Sequence, residues 1–152
     1  MREKRLRRHV WFAVLLAGVV LATPAAAEPA EVHVYKTPNC GCCNGWVDHL
    51  REAGFSVRTT NLDDLTDVKR SNGIPPELAS CHTAIVGGYV VEGHVPAQDV
   101  QRLLAQQPAV SGLAVPRMPI GSPGMEGPKP ERYRVLAFGA DGVEVFAEHG
   151  PE

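Results

Sequence analysis

Cysteine, aromatic residues and surplus positive charge are all scarce in this sequence, and each shortage removes a class of protein. Four cysteines in 152 residues are too few for a disulfide-dense secreted scaffold. Aromatic residues make up 6% of the chain and are not interleaved with a basic patch, so the pattern of a nucleic-acid-binding surface is missing. The formal net charge is −2, from 15 basic and 17 acidic residues. That balance gives no pull toward phosphate backbones or anionic lipid. The apolar run from Val10 to Ala22 has 13 residues, whereas a membrane-spanning helix needs roughly 20. No internal repeat is visible.

What is present begins with an address. Arg2, Lys4, Arg5, Arg7 and Arg8 precede the apolar run, and Ala25-Ala26-Ala27 offers small residues for cleavage before Glu28. This is the three-part layout of a secretory signal peptide. We expect residues 1–27 to be removed, the protein to reach the periplasm, and no membrane attachment to remain. The leader carries five basic residues and Glu3, so residues 28–152 hold 10 basic and 16 acidic residues, a net of −6. They are expected to form one domain.

Hydrophobic periodicity sets its layout. Val32 and Val34 alternate with His33 and Tyr35 in a first strand, Glu31 to Thr37. Gly45 to Ala53 reads as a helix with Trp46, Val47, Leu50 and Ala53 on one face, stopped by Gly54. Phe55 to Leu62 reads as a strand and Leu65 to Ser71 as a short helix. Cys81 to Val86 and Tyr89 to Glu92 form a hairpin over Gly87-Gly88. Pro96 to Gln106 is a helix with Val100, Leu103 and Leu104 as its buried stripe. Residues 108–130 are rich in Pro and Gly and show no period, which predicts a long loop. A closing hairpin is expected over 132–147. The order β-α-β-α-β-β-α suits an α/β fold with a mixed sheet and flanking helices.

Cys40-Gly41-Cys42-Cys43 lies between a strand and a helix start. Free backbone N–H groups and the helix dipole favour anions there, so thiol pKa values should fall. Cys40 and Cys43 have the spacing of thiol–disulfide exchange sites. Cys42 adds a sulfur that a redox pair does not need. A vicinal Cys42–Cys43 bridge would be strained, because bridged Cα atoms usually lie ~5.5 Å apart. Soft thiolates select Cu(I), Zn(II) or iron–sulfur clusters. Structural zinc usually takes two separated ligand pairs, whereas three ligands from one turn favour Cu(I), with several ions able to share sulfurs.

Four segments carry a more specific resemblance: Thr37-Pro38-Asn39-Cys40-Gly41-Cys42-Cys43, Ser80-Cys81-His82-Thr83-Ala84, Val91-Glu92-Gly93-His94-Val95-Pro96 and Gly121-Ser122-Pro123-Gly124-Met125-Glu126. Together they resemble the periplasmic metal-binding family around the copper-resistance protein CopG, over about residues 31–148. The resemblance implies a thioredoxin-like fold, copper bound through cysteines, and a part in copper redox handling. Ordinary thioredoxins place a cis-proline just before the third strand, facing the C-x-x-C. Ser80 to Thr83 contains no proline, so Cys81 or His82 is expected to take the facing position and complete a cage.

The expected metal ligands are therefore Cys40, Cys42, Cys43, Cys81 and His82. Met118, Met125, His33 and His94 form an outer set, either as ligands or as partners of ligands. Their alternatives are loop packing for the methionines, solvation for His33 and a turn or capping role for His94. His49 reads as an exposed helix residue and His149 as a tail residue. Trp46 and Phe55 read as core. The expected cofactor is copper, as one ion or a cluster, and the expected partners are copper ions and a periplasmic redox or copper-transfer protein. Three functions fit: a copper-binding redox protein, a non-catalytic copper chaperone or buffer, and a thiol–disulfide oxidoreductase.

Overall fold

A computed structural model describes residues 30–151, and the leader expected at 1–27 lies outside them. The elements are β1 (Glu31–Lys36), α1 (Gly41–Glu52), β2 (Ser56–Asn61), α2 (Thr66–Ser71), a 3-10 turn (Pro76–Leu78), β3 (His82–Val86), β4 (Tyr89–Glu92), α3 (Ala97–Gln106), β5 (Gly112–Ala114), β6 (Tyr133–Gly139) and β7 (Gly142–His149). All seven strands form one sheet in the order β2-β1-β3-β4-β5-β6-β7. The β1–β2 and β4–β5 pairs are parallel and the others antiparallel. The expected α/β class with a mixed sheet is what forms. No helix among the described residues is long and apolar enough to cross a membrane.

The strand period of two sorts side chains between two cores. Val32 and Val34 of β1, Ala84 and Val86 of β3, Val91 of β4, Leu113 of β5, and Val135 and Ala137 of β6 share one cluster with Trp46, Val47 and Leu50 of α1 and Val100 and Leu103 of α3. The other face carries Val90, Ala114 and Phe138, covered by Ile74 and Leu78. Each fully buried aliphatic side chain contributes roughly 1.5–3 kcal/mol. Phe55 belongs to the first cluster, as expected of a core residue. Leu104, expected in the α3 stripe, is only partly buried.

Two differences from the sequence reading matter. First, α1 begins one turn earlier than the apolar period indicated, so Cys42 and Cys43 lie inside its first turn and Cys40 is its N-cap. Second, the Pro/Gly stretch contains β5, which pairs with both β4 and β6. Three residues cannot display a period, so the strand leaves no signal. Yet it fastens the closing hairpin to the rest of the sheet.

Gly112 permits that attachment. A Cβ there would press into the backbone carbonyl of Val90. Gly112→Ala is expected to cost about 1–3 kcal/mol through overpacking, read as a lowered urea midpoint of the metal-free protein. An unshifted midpoint would mean that β5 moves away from β4 at little cost.

Candidate metal centre

The site forms because β1 and β3 run antiparallel with Lys36 opposite His82. This register sets the end of β1 beside the start of β3. Beyond β1 the chain turns through Pro38 and Asn39, with the Cys40 N–H donating to the Thr37 carbonyl at 3.3 Å. It then enters α1. Ser80 and Cys81 lead into β3 from the same side. Two cysteine segments nearly 40 residues apart therefore meet at one end of the sheet.

Cys40 and Cys43 are joined by a disulfide, with Cα atoms 5.3 Å apart. Cys42 and Cys81 are free thiols. The Cys42 sulfur lies 3.5 Å from that of Cys40 and 3.9 Å from that of Cys81. All four sulfurs lie within 4.8 Å of one another. Cys81 also belongs to a second group, with His82 and His94. Its sulfur is 3.2 Å from His82 Nδ1 and 3.0 Å from His94 Nε2. Cys81 thus stands between a sulfur cluster and an imidazole pair.

The histidines are held in place. His94 Nδ1–H donates to the Pro123 carbonyl at 2.8 Å, which leaves the lone pair on Nε2, the nitrogen facing Cys81. His82 is completely buried, 4.4 Å from the Trp46 ring and 5.0 Å from the His94 ring, centroid to centroid. Trp46 is itself fixed by its Nε1–H bond to the Val95 carbonyl, 2.8 Å long. His82 Nε2 is buried without a hydrogen-bond partner, a costly state for a polar atom.

Electrostatics prepare these groups unequally. Burial, then the neighbouring His94 and Lys69, hold His82 well below the usual imidazole range. Burial also lowers His94. Both imidazoles are therefore neutral near pH 7, the form that binds metals. Burial and the adjacent Cys42 push the Cys81 thiol up to about 12. Cys81 lies across the gap from α1, outside the reach of the free N–H groups of that helix start. A bound cation would reverse that direction, because coordination displaces the thiol proton.

The outer candidates divide. His94, read from sequence as a turn residue or lesser ligand, sits at the centre. His33 lies elsewhere on β1, bonded to Thr60 Oγ1 at 2.8 Å and packed on Tyr35. Met118 is 46% exposed on the wall of a separate cavity, with Arg117 and Tyr133. Met125 is half-buried in the loop whose Gly124 packs on α1. There, a Cβ on Gly45 would lie 3.0 Å from Gly124 Cα. His49 is not a bare surface residue: its Nε2 accepts the Ala97 N–H at 3.0 Å, at the start of α3. Nor is His149 a loose tail, since its Nε2 lies 2.6 Å from Asp99 Oδ2.

Sequence reasoning passed over Glu92. It is completely buried and receives Lys69, Ser80 and Thr83 as donors. Its signal was available: a carboxylate ending an apolar strand, two residues before His94.

The donors fit a soft metal ion. Sulfur from Cys42 and Cys81, joined by Cys40 and Cys43 once their disulfide is reduced, and nitrogen from two neutral imidazoles suit copper or zinc rather than calcium or magnesium. The orphaned His82 nitrogen is the kind of atom a ligand or a modest ring rotation would satisfy. Fold and donors together define an α/β protein with a candidate cysteine–histidine metal centre. A family model described as a protein of unknown function, DUF411, matches residues 78–125, which include Cys81, His82 and His94. No curated protein matches. Two solved structures are similar over their whole length. Copper resistance protein CopG, form 2, is 42% identical with a TM-score of 0.77, covering 81% of this chain and 100% of that one. Form 1 is 41% identical with a TM-score of 0.76, covering 82% and 100%. The chain belongs to the CopG family.

The imidazole shifts make stability depend on pH. Folded-state values below 6.5 mean that the unfolded chain takes up protons which the folded site refuses. Stability is then fully present above about pH 6.5 and falls as pH drops further. Urea midpoints of metal-free protein should decline from pH 7 to 5, and His82→Phe should flatten the decline. An equal slope in that variant would remove His82 as its cause.

Proposed function

We propose that the chain is an exported periplasmic copper-binding protein of copper resistance. Cu(I) is held by thiolates of Cys40, Cys42, Cys43 and Cys81 with imidazole nitrogen from His82 and His94. One observation carries this reading: Cys81 lies within 3.9 Å of a helix-tip sulfur and about 3 Å from each of two imidazoles. Thiolates favour Cu(I), and imidazole suits both copper oxidation states. Bound copper would supply one-electron chemistry, in exchange with a periplasmic redox or copper-transfer partner. The chain's own contribution is to gather the donors, keep the imidazoles neutral and bury the site. The basic and apolar start of the sequence supports export.

The disulfide sets a condition. Two electrons and two protons convert Cys40–Cys43 into two thiols, and only then are all four sulfurs free to bind. The same bond supports a second reading, thiol–disulfide exchange, in which Cys40 and Cys43 suffice and Cys42 is dispensable.

Copper titration of the reduced protein, followed by desalting and metal analysis, separates the two. More than one copper per chain should remain, and Cys42→Ser should lose most of it. The disulfide form should retain less than the reduced form. Brisk insulin reduction by metal-free Cys42→Ser, with wild-type protein holding no copper, would replace the copper reading with exchange. Absorbance followed through mild oxidation and reduction then distinguishes a redox protein, which cycles with its metal, from a buffer, which does not.

A further inference from the structure

The cysteine–histidine cage is one-sided. α1 and its N-cap residue supply three of its sulfurs, but Cys81 precedes the first residue of β3 and His94 follows the last residue of β4. Neither residue is held by its own strand, so something else must fix these two segments.

Glu92 occupies the position to do so. It ends β4, opposite Thr83 of β3. Val91, its neighbour in β4, faces the α1 side, as does Ala84 in β3. By alternation Glu92 and Thr83 face the other side, away from His82. There Glu92 Oε1 accepts Lys69 Nζ and the Ser80 N–H, each at 2.5 Å. Oε2 accepts the Thr83 hydroxyl at 2.7 Å, and that hydroxyl accepts Lys69 Nζ at 3.1 Å. A single buried carboxylate thereby grips α2, β3 and the residue immediately before Cys81.

The neighbouring backbone reinforces the grip. The Gly93 N–H donates to the His82 carbonyl at 3.0 Å, and the Val115 N–H donates to the Glu92 carbonyl at 2.9 Å. The Ser80 hydroxyl donates to the Arg117 carbonyl. Gly93 has φ +72°, and a Cβ there would meet Ser80 and the Val115 carbonyl. The turn that delivers His94 therefore closes directly against the segment that delivers Cys81.

We propose that Glu92, with Lys69, is a positioning residue for the metal centre, fixing Cys81 against His94 and Cys42 from the opposite face of the sheet. This rests on the copper reading for its metal-bound consequences, but the placement of Cys81 can be measured without metal. Buried partners that orient metal ligands typically change affinity 10–100-fold when replaced.

The decisive variant is Glu92→Gln, which keeps shape and one carbonyl acceptor but lacks the charge that Lys69 requires. Two readouts apply to reduced full-length protein. In the metal-free protein, the alkylation rate of Cys81, mapped by mass spectrometry, should rise at least about tenfold as the segment loosens, while Cys42 changes little. In copper-loaded protein, competition with a Cu(I) chelator should show about 10–100-fold weaker retention, and X-ray absorption should show fewer sulfur neighbours per copper. Unchanged Cys81 reactivity in a folded variant overturns the proposal. So does an equal slowing or quickening at Cys42 and Cys81, which would report general loosening. Should Glu92→Gln fail to fold, the double variant Glu92→Met with Lys69→Met removes both charges together and takes its place, judged by the same two rates. Wild-type protein that binds no copper would sink the copper reading alone, because the metal-free rates still decide the role of Glu92.

Discussion

The pairing of β1 with β3 is the constraint on which the rest depends. Its register sets Lys36 opposite His82, and so brings a helix start and a strand start to the same end of the sheet. A slip of one residue would turn His82 to the opposite face, because side chains alternate with period two. Val32, Val34, Ala84 and Val86 hold the register by burying their side chains on the α1 face. The geometry of the candidate donors is therefore enforced by aliphatic residues outside the donor set.

Charge explains why so many donors can share so small a volume. Neutral thiols and imidazoles pack here without net charge, and burial drives them toward neutrality. Two thiols can also leave the problem by forming a disulfide, as Cys40 and Cys43 do. A soft cation is the third solution, since it stabilises deprotonated sulfurs together. Lys36, only 5% exposed, and Lys69 act on His82 as nearby positive charges. They add to burial in keeping His82 unprotonated. Oxidation of the pair and occupation by metal thus compete for the same two sulfur atoms.

The sequence showed much of this and concealed the rest for definable reasons. The strands of β1, β3 and β4 were legible because aliphatic residues alternate or run together, and the cysteine motif announced itself by spacing. The first turn of α1 was not legible, because Cys40 to Asn44 carries no apolar stripe. β5 is too short to show a period, and its pairing is fixed by the missing Cβ of Gly112 rather than by any propensity. His94 looked like a turn residue because Gly93 precedes it and Pro96 follows. It is that turn which places it on Cys81. His49 and His149 looked solvated because their partners, the Ala97 N–H and Asp99, lie about 50 residues away. Met118 looked like a soft ligand by chemistry alone, yet its backbone leads it to another surface.

The segment facing the cysteine motif also bears on which chemistry the fold supports. A disulfide-exchange site needs an open backbone edge where a peptide can lie, and in thioredoxins a cis-proline shapes that edge. Among the described residues there is no cis peptide bond. The facing segment instead carries Cys81 and His82, and its backbone N–H at Ser80 is already spent on Glu92. The loop around Gly124 closes over the other side, near enough that a Cβ there would strike the Cys42 carbonyl. Between these walls the sulfur and nitrogen atoms fall into two overlapping groups, each within 4.8 Å, a spacing that suits one ion better than an extended chain. The same C-x-x-C spacing that serves peptide exchange elsewhere is here one wall of an enclosure, and the closing of the other walls is an argument for the proposed metal over a peptide.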